Sequence, residues 1–228
     1  MTFALLVTLA AVLVLLAWLW IEHLAHRRES FIRNAALPKG LFERLQKRHP
    51  TLSAKDCQLV AKGLRQFFLA YLKSGRQFVA MPSQVVDDLW HEFILYTKNY
   101  DQYCRRAFGG FLHHTPAILL SRSKRNNTGL RRCWWHACKE ENINPRSALR
   151  LPLLFALDAK LLIPGGFRYV PDCTFKRERG DGDGPGSSHC GGDFSDPSHD
   201  GGLDGFDDAG SVDGGGAGSD GCGGDGGD

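Results

Sequence analysis

The chain has 228 residues, a formal net charge of +3 at neutral pH, and seven irregularly spaced cysteines. The small net charge hides two opposite parts: the first 179 residues carry 28 Lys and Arg against 13 Asp and Glu, whereas residues 180–228 carry 12 Asp and no basic side chain. The odd cysteine count and irregular spacing exclude a small disulfide-stapled framework, and the segment between the two ends is long enough for one ordinary domain.

The N-terminal end is apolar, since residues 1–21 contain no charged side chain. As a helix this run is roughly 30 Å long, which matches the hydrocarbon core of a bilayer. A cleaved leader would need basic residues before the run and small residues at a cleavage site, and the sequence has neither. Trp18 and Trp20 suit a membrane interface, and the arginines that follow favour a cytoplasmic body by the positive-inside rule. We therefore expect a single-pass anchor in the inner (cytoplasmic) membrane, with the N-terminus outside.

Helix signals dominate the middle of the chain. Residues 22–37 are expected to be a juxtamembrane linker before a core of residues 38–179. Apolar residues at helical spacing predict, in chain order, a helix near 39–48, one capped by Ser53, one capped by Ser83, one that ends at Gly109, one over about 124–140 and a last one before Pro164. Few segments alternate at period two. The predicted fold class is therefore all-α, with an N-terminal transmembrane helix and about six short helices.

The C-terminal part is rich in Gly and Asp. From Gly180 onward it holds 19 of the 27 glycines. Such a segment has little apolar surface to offset the entropy lost on ordering, so residues 180–228 are predicted to form a disordered acidic tail. Its Asp-Gly repeats keep no calcium-loop register.

The candidate site lies in residues 87–114, "DDLWHEFILYTKNYDQYCRRAFGGFLHH". Asp87 and His91 are one helical turn apart, so the carboxylate can orient the imidazole. Tyr100 and Cys104 share a face of the next predicted helix, and the two glycines after it can turn the chain back. We expect His91, Cys104 and one of His113 or His114 to converge.

This stretch resembles the conserved core of the glycine-rich-domain proteins, best known from plants and with bacterial relatives. The pattern is Asp-x-x-Trp-His, then Tyr-x-x-x-Cys, then Gly-x-x-Leu-x-His, and the matching residues are Asp87, Trp90, His91, Tyr100, Cys104, Gly109, Leu112 and His114. Plant members often carry a second histidine two positions after the first, where this chain has Phe93. The resemblance implies a shared core with Trp90, Tyr100, Gly109 and Leu112 as structural residues. It implies no particular activity, because the family has no well-established one.

Three interpretations of the stretch remain open. In the first, the stretch is an aromatic core in which Asp87 accepts a hydrogen bond from His91 and Cys104 is a small buried apolar residue. In the second His91, Cys104 and His114 bind zinc, with water, Asp87 or Asp88 as the fourth ligand and His113 as an alternative to His114. In the third Cys104 is a nucleophile with a histidine base, although no cysteine-hydrolase signature is present.

The function class that the sequence favours is a binding or scaffolding module at the membrane rather than an enzyme. A structural metal, zinc, would be compatible with that role, and the alternative is a metal-dependent or thiol enzyme centred on His91, Cys104 and His114. The expected partners are the lipid bilayer and a protein partner. The basic body also weakly favours contact with anionic lipid or nucleic acid.

Overall fold

A computed structural model of the chain describes residues 2–114, 124–171 and 189–190. Within these residues the protein is helical apart from one parallel pair of two-residue strands, and this confirms the predicted all-α class. The elements are α1 Thr2–Asn34, α2 Leu41–Arg48, α3 Ala54–Lys73, α4 Gln84–Leu95, α5 Thr97–Phe108, α6 Lys124–Glu140, α7 Leu153–Lys160, β1 Tyr169–Val170 and β2 His189–Cys190. All of them belong to one compact unit, Met1–Asp196. The predicted disordered tail lies outside the described residues except for β2.

Local sequence signals account for the helix ends. Ser53 forms a capping box with Asp56: the Ser53 hydroxyl accepts the Asp56 N–H at 3.2 Å, and the Asp56 carboxylate accepts the Ser53 N–H at 2.9 Å. Ser83 caps α4 in the same way through the Val86 N–H. Gly109 ends α5 with φ of 79°, a left-handed conformation that glycine adopts without steric cost.

The core is built around α3, which packs against α1, α2, α4, α6 and α7. Phe67 and Phe68 are buried on its inner face, and the Phe68 ring lies 6.0 Å from Trp90 and 5.4 Å from Tyr103, centroid to centroid. At Gly63 a Cβ atom would collide with Leu157 of α7, so the absence of a side chain allows α3 and α7 to approach closely. This aromatic centre fixes the positions of α4 and α5, which carry the candidate site.

The predicted linker over residues 22–37 needs correction, because α1 continues through it to Asn34 without a break. Ile32 is fully buried in the core, and the Phe31 ring packs 5.2 Å from that of Tyr103. Arg33 pairs with Glu140 of α6. Helical conformation persists here because an apolar stripe on α1 docks against the body, a tertiary effect that local composition does not reveal.

The first two-thirds of α1 does not touch this core. The helix is long and apolar enough to cross a bilayer, with a mean hydropathy of 2.4 in its most apolar stretch, and none of that stretch is buried in the protein. Length and composition are those of a membrane span or of a signal sequence.

Candidate metal centre

Asp87 stands between two histidines. Its Oδ1 atom lies 2.8 Å from Nε2 of His114, and its Oδ2 atom lies 3.5 Å from Nδ1 of His91. The two imidazole rings lie at a centroid distance of 4.1 Å and are tilted by 52° to each other. Asp87 and His91 come together because they are one turn apart on α4, as the spacing predicted.

His114 reaches this position because the loop after α5 is tied to the core. The Tyr100 hydroxyl donates to the Leu112 carbonyl at 2.6 Å and accepts the Trp90 indole N–H at 3.1 Å. The His114 ring then packs against the Trp90 ring at 4.6 Å. Burial raises the pKa of Tyr100, so the phenol stays protonated and keeps its donor role across the physiological range.

The hydrogen bonds among Trp90, Tyr100 and Leu112 form a loop anchor. Cys104 lies next to this loop anchor and is not part of the cluster of Asp87, His91 and His114. It is fully buried and lies beside the Leu112 backbone and the Tyr100 side chain. Burial raises the pKa of the thiol, which is the opposite of what a nucleophilic cysteine needs. The expected convergence of Cys104 with the histidines is therefore not found, because Cys104 is buried in the core and only Asp87 joins the two histidines.

The two alternative ligands also lie elsewhere. Asp88 is 5% exposed and accepts from His49 at 2.8 Å and Arg48 at 3.0 Å, which ties α4 to α2. His113 is exposed, and its ring lies 4.8 Å from that of Phe111. The structure thus selects His114 over His113 and Asp87 over Asp88.

Phe93, where plant glycine-rich-domain proteins often carry their second histidine, faces the core. It is 1% exposed and its ring lies 5.2 Å from Tyr100 and 5.3 Å from Tyr103. A side chain two positions after His91 points to the opposite side of α4. The phenylalanine therefore removes no ligand from the cluster.

The cluster has the dimensions of a small metal site. One ligand atom each from Asp87, His91 and His114 lie within 4.8 Å of one another. In a tetrahedral zinc site, bonds of about 2.0–2.1 Å place neighbouring ligand atoms roughly 3.4 Å apart, so a modest contraction would close the site. His114 and Asp87 are 11% and 17% exposed, whereas His91 is 42% exposed, so one side of the cluster faces solvent.

One contribution to the site was missed by sequence reasoning. Leu112 was expected to act as a structural core side chain, but its backbone carbonyl also accepts the hydrogen bond of the Tyr100 hydroxyl. No residue pattern marks this contact in the sequence, because every residue type offers a backbone carbonyl.

Comparison with protein-family models gives one assignment. The chain belongs to the UCP032817-like family, whose model matches residues 27–194. That match begins within α1 and covers every other helix, including all residues of the candidate metal centre. No curated protein and no solved structure matches the chain.

Proposed function

We infer that the protein is a membrane-anchored helical module that binds one divalent transition-metal ion, zinc, through Asp87, His91 and His114. The observation that carries this inference is the placement of one carboxylate between two imidazoles, with a ligand atom from each within 4.8 Å of the others. Two imidazole nitrogens and one carboxylate oxygen form a donor set that zinc commonly takes.

The surroundings favour a metal site over a purely structural cluster. His91 is too exposed to be required by the core, and its nearest polar partner, Asp87, is at 3.5 Å, beyond the usual range of a strong hydrogen bond. The Trp90 ring packs against the His114 ring, and the hydrogen bond from Trp90 to Tyr100 fixes the Trp90 ring in turn. A cation between the three groups would interact with a carboxylate that is already partly shielded from water.

Replacing His91 by alanine is expected to lower zinc affinity at least about tenfold, because one of three ligands is lost. The measurement is a zinc titration of the full chain in detergent, followed by calorimetry. His113→Ala is the matched control, since His113 is an exposed histidine whose ring packs against Phe111 and which is not one of the three clustered ligands. Equal affinity in His91→Ala and in the wild type would contradict the ligand assignment.

A metal-dependent enzyme is the second candidate. The observation in its favour is that the described cluster offers three protein ligands and has one solvent-facing side, whereas structural zinc sites usually use four protein ligands. The two candidates share the metal and differ in whether the remaining position takes an exchangeable ligand. A thiol enzyme is not proposed, because Cys104 is buried and its pKa is raised.

The anchor is proposed to be a single span in the inner membrane with the body in the cytoplasm, supported by Arg27, Arg28 and Arg33 directly after the apolar run. A fluorescent protein fused after Asp228 is expected to fold and emit, and an export-dependent phosphatase at the same position is expected to be inactive. The reverse pattern would contradict the orientation. The intact mass of the membrane-extracted fusion protein tests the anchor separately. An uncleaved chain has a mass of 25.2 kDa plus that of the reporter, and a cleaved chain has a lower mass.

A further inference from the structure

The end of the body next to the apolar part of α1 is defined by Arg28 and Gly109. A Cβ atom built at Gly109 would meet the Arg28 guanidinium within 3.3 Å at Cζ, so α1 passes directly over the C-terminal end of α5. Arg28 lies seven residues after Ile21, which is about 10 Å along a helix. The headgroup layer on each side of a bilayer is roughly 5–8 Å thick. With α1 in a membrane, this end of the body would therefore lie just outside the headgroup layer, close enough for long arginine side chains to reach it.

Four arginines are placed at or near this end of the body. Arg27 and Arg28 are on α1, Arg76 follows α3, and Arg106 is in the last turn of α5. Within the described part of the chain none of them has a carboxylate partner, whereas Arg33, Arg44, Arg48, Arg105 and Arg150 each form an ion pair.

Two of the unpaired guanidiniums are close enough to repel each other. Burial, and next to it the positive charge of Arg76, lowers the pKa of Arg28. Neighbouring cations without a protein anion between them are stabilised by an anion from outside. The arrangement therefore favours a negatively charged ligand at this position.

An exposed aromatic ring follows the C-terminal end of α5. Phe111 is two residues after Gly109, is 44% exposed, and leans on Tyr100 with ring centroids 5.3 Å apart. Around Gly110 there is open space, since a Cβ there would contact nothing within 4 Å. Basic side chains next to an exposed apolar ring are typical of a surface that contacts a membrane interface.

We propose that Arg27, Arg28, Arg76 and Arg106, together with Phe111, form a surface that binds the headgroups of anionic phospholipids. This proposal rests on the membrane anchoring proposed above. The occupant is a lipid headgroup because α1 would hold the surface within about 10 Å of the bilayer, where a negative surface potential acts on basic side chains. The rigid continuation of α1 into the body would then combine with lipid contacts to set the orientation of the domain on the membrane.

The test uses the full chain in neutral detergent micelles. Native mass spectrometry measures the dissociation constants of added phosphatidylglycerol and phosphatidylcholine. The test variant is Arg27→Gln/Arg76→Gln/Arg106→Gln, which leaves the Arg28 packing intact. The control variant is Lys47→Gln/Lys55→Gln/Lys98→Gln, which removes the same charge from exposed lysines without a described ion pair.

The wild type and the lysine variant are expected to bind phosphatidylglycerol more tightly than phosphatidylcholine. In the arginine variant the ratio of the two dissociation constants should shrink at least about tenfold, because each charge near an anionic surface contributes about fivefold to affinity. Added salt should weaken the preference, and inorganic phosphate at equal concentration should not displace the lipid.

Equal binding of both lipids by the wild type, or equal loss in both variants, would overturn the proposal. Displacement of the lipid by a short DNA duplex with no lipid preference would identify a nucleic-acid surface instead. Carbonate extraction of cell membranes tests the anchor independently, so failure of the lipid surface and failure of the anchor are distinguishable.

Discussion

Replacing Asp158 by alanine is expected to lower the free energy of unfolding of the body by about 4 kcal/mol. Asp158 is in α7 and is 3% exposed. Its carboxylate accepts four hydrogen bonds: from the Ser83 hydroxyl at 2.7 Å, from the backbone N–H groups of Gln84 at 2.7 Å and Val85 at 3.2 Å, and from that of Phe167 at 2.9 Å. It thus caps the N-terminus of α4 and also ties down the chain after α7.

The loss should be large because four donors would lose their acceptor, two of them buried and two partly buried, and each buried donor left unpaired costs on the order of 1–3 kcal/mol. The measurement is chemical denaturation of the full chain in detergent, followed by near-ultraviolet circular dichroism. Asp101→Ala is the control, because Asp101 is 39% exposed and pairs only with Arg105 on the same helix within the described residues. Its loss should stay below about 1 kcal/mol. Similar losses in the two variants would refute the capping role of Asp158.

Acidification from pH 7.5 to pH 5 is expected to destabilise the body by about 2 kcal/mol through His136 alone. The His136 Nε2 atom is buried and makes no hydrogen bond to any described residue. Burial, together with the positive charges of Lys73 and Arg132, lowers the pKa of His136 to about 4. The folded protein therefore excludes a proton that the unfolded chain binds below about pH 6.5.

The sign follows from this difference in proton binding. Stability is complete above pH 6.5 and falls as the pH drops toward 4, because the unfolded state gains the proton first. His136→Phe should flatten this part of the pH profile, and His113→Ala should keep the wild-type slope, since His113 is exposed. An unchanged slope in His136→Phe would show that His136 stays accessible to protons in the folded state.

The parts of the fold that were predictable depend on local sequence. Ser53 and Ser83 mark helix starts because each side chain accepts a hydrogen bond from the backbone N–H three residues later. Gly109 marks a helix end through its own conformation. The contact of Asp87 with His91 follows from helical spacing in the same way. Each of these features was confirmed because the interaction or conformation that creates it lies within about one helical turn of sequence.

The parts that were not predictable depend on packing between distant residues. Asp158 meets Ser83 across 75 positions of sequence, and no local pattern marks it as a cap. The continuation of α1 through the expected linker requires the burial of Ile32 in a core formed by later helices. The sequence analysis grouped Cys104 with the histidines because of their order along the chain. In the structure, Cys104 lies on the face of α5 that is buried in the core.

The most direct test of the metal centre is X-ray absorption at the zinc edge on the full chain, loaded with one equivalent of zinc in detergent. The ligands Asp87, His91 and His114 predict a first shell of nitrogen and oxygen at about 2.0–2.1 Å, with imidazole scattering and no sulfur. His113→Ala should give the same spectrum. A sulfur shell at about 2.3 Å, or zinc that remains fully hydrated, would contradict the proposed centre.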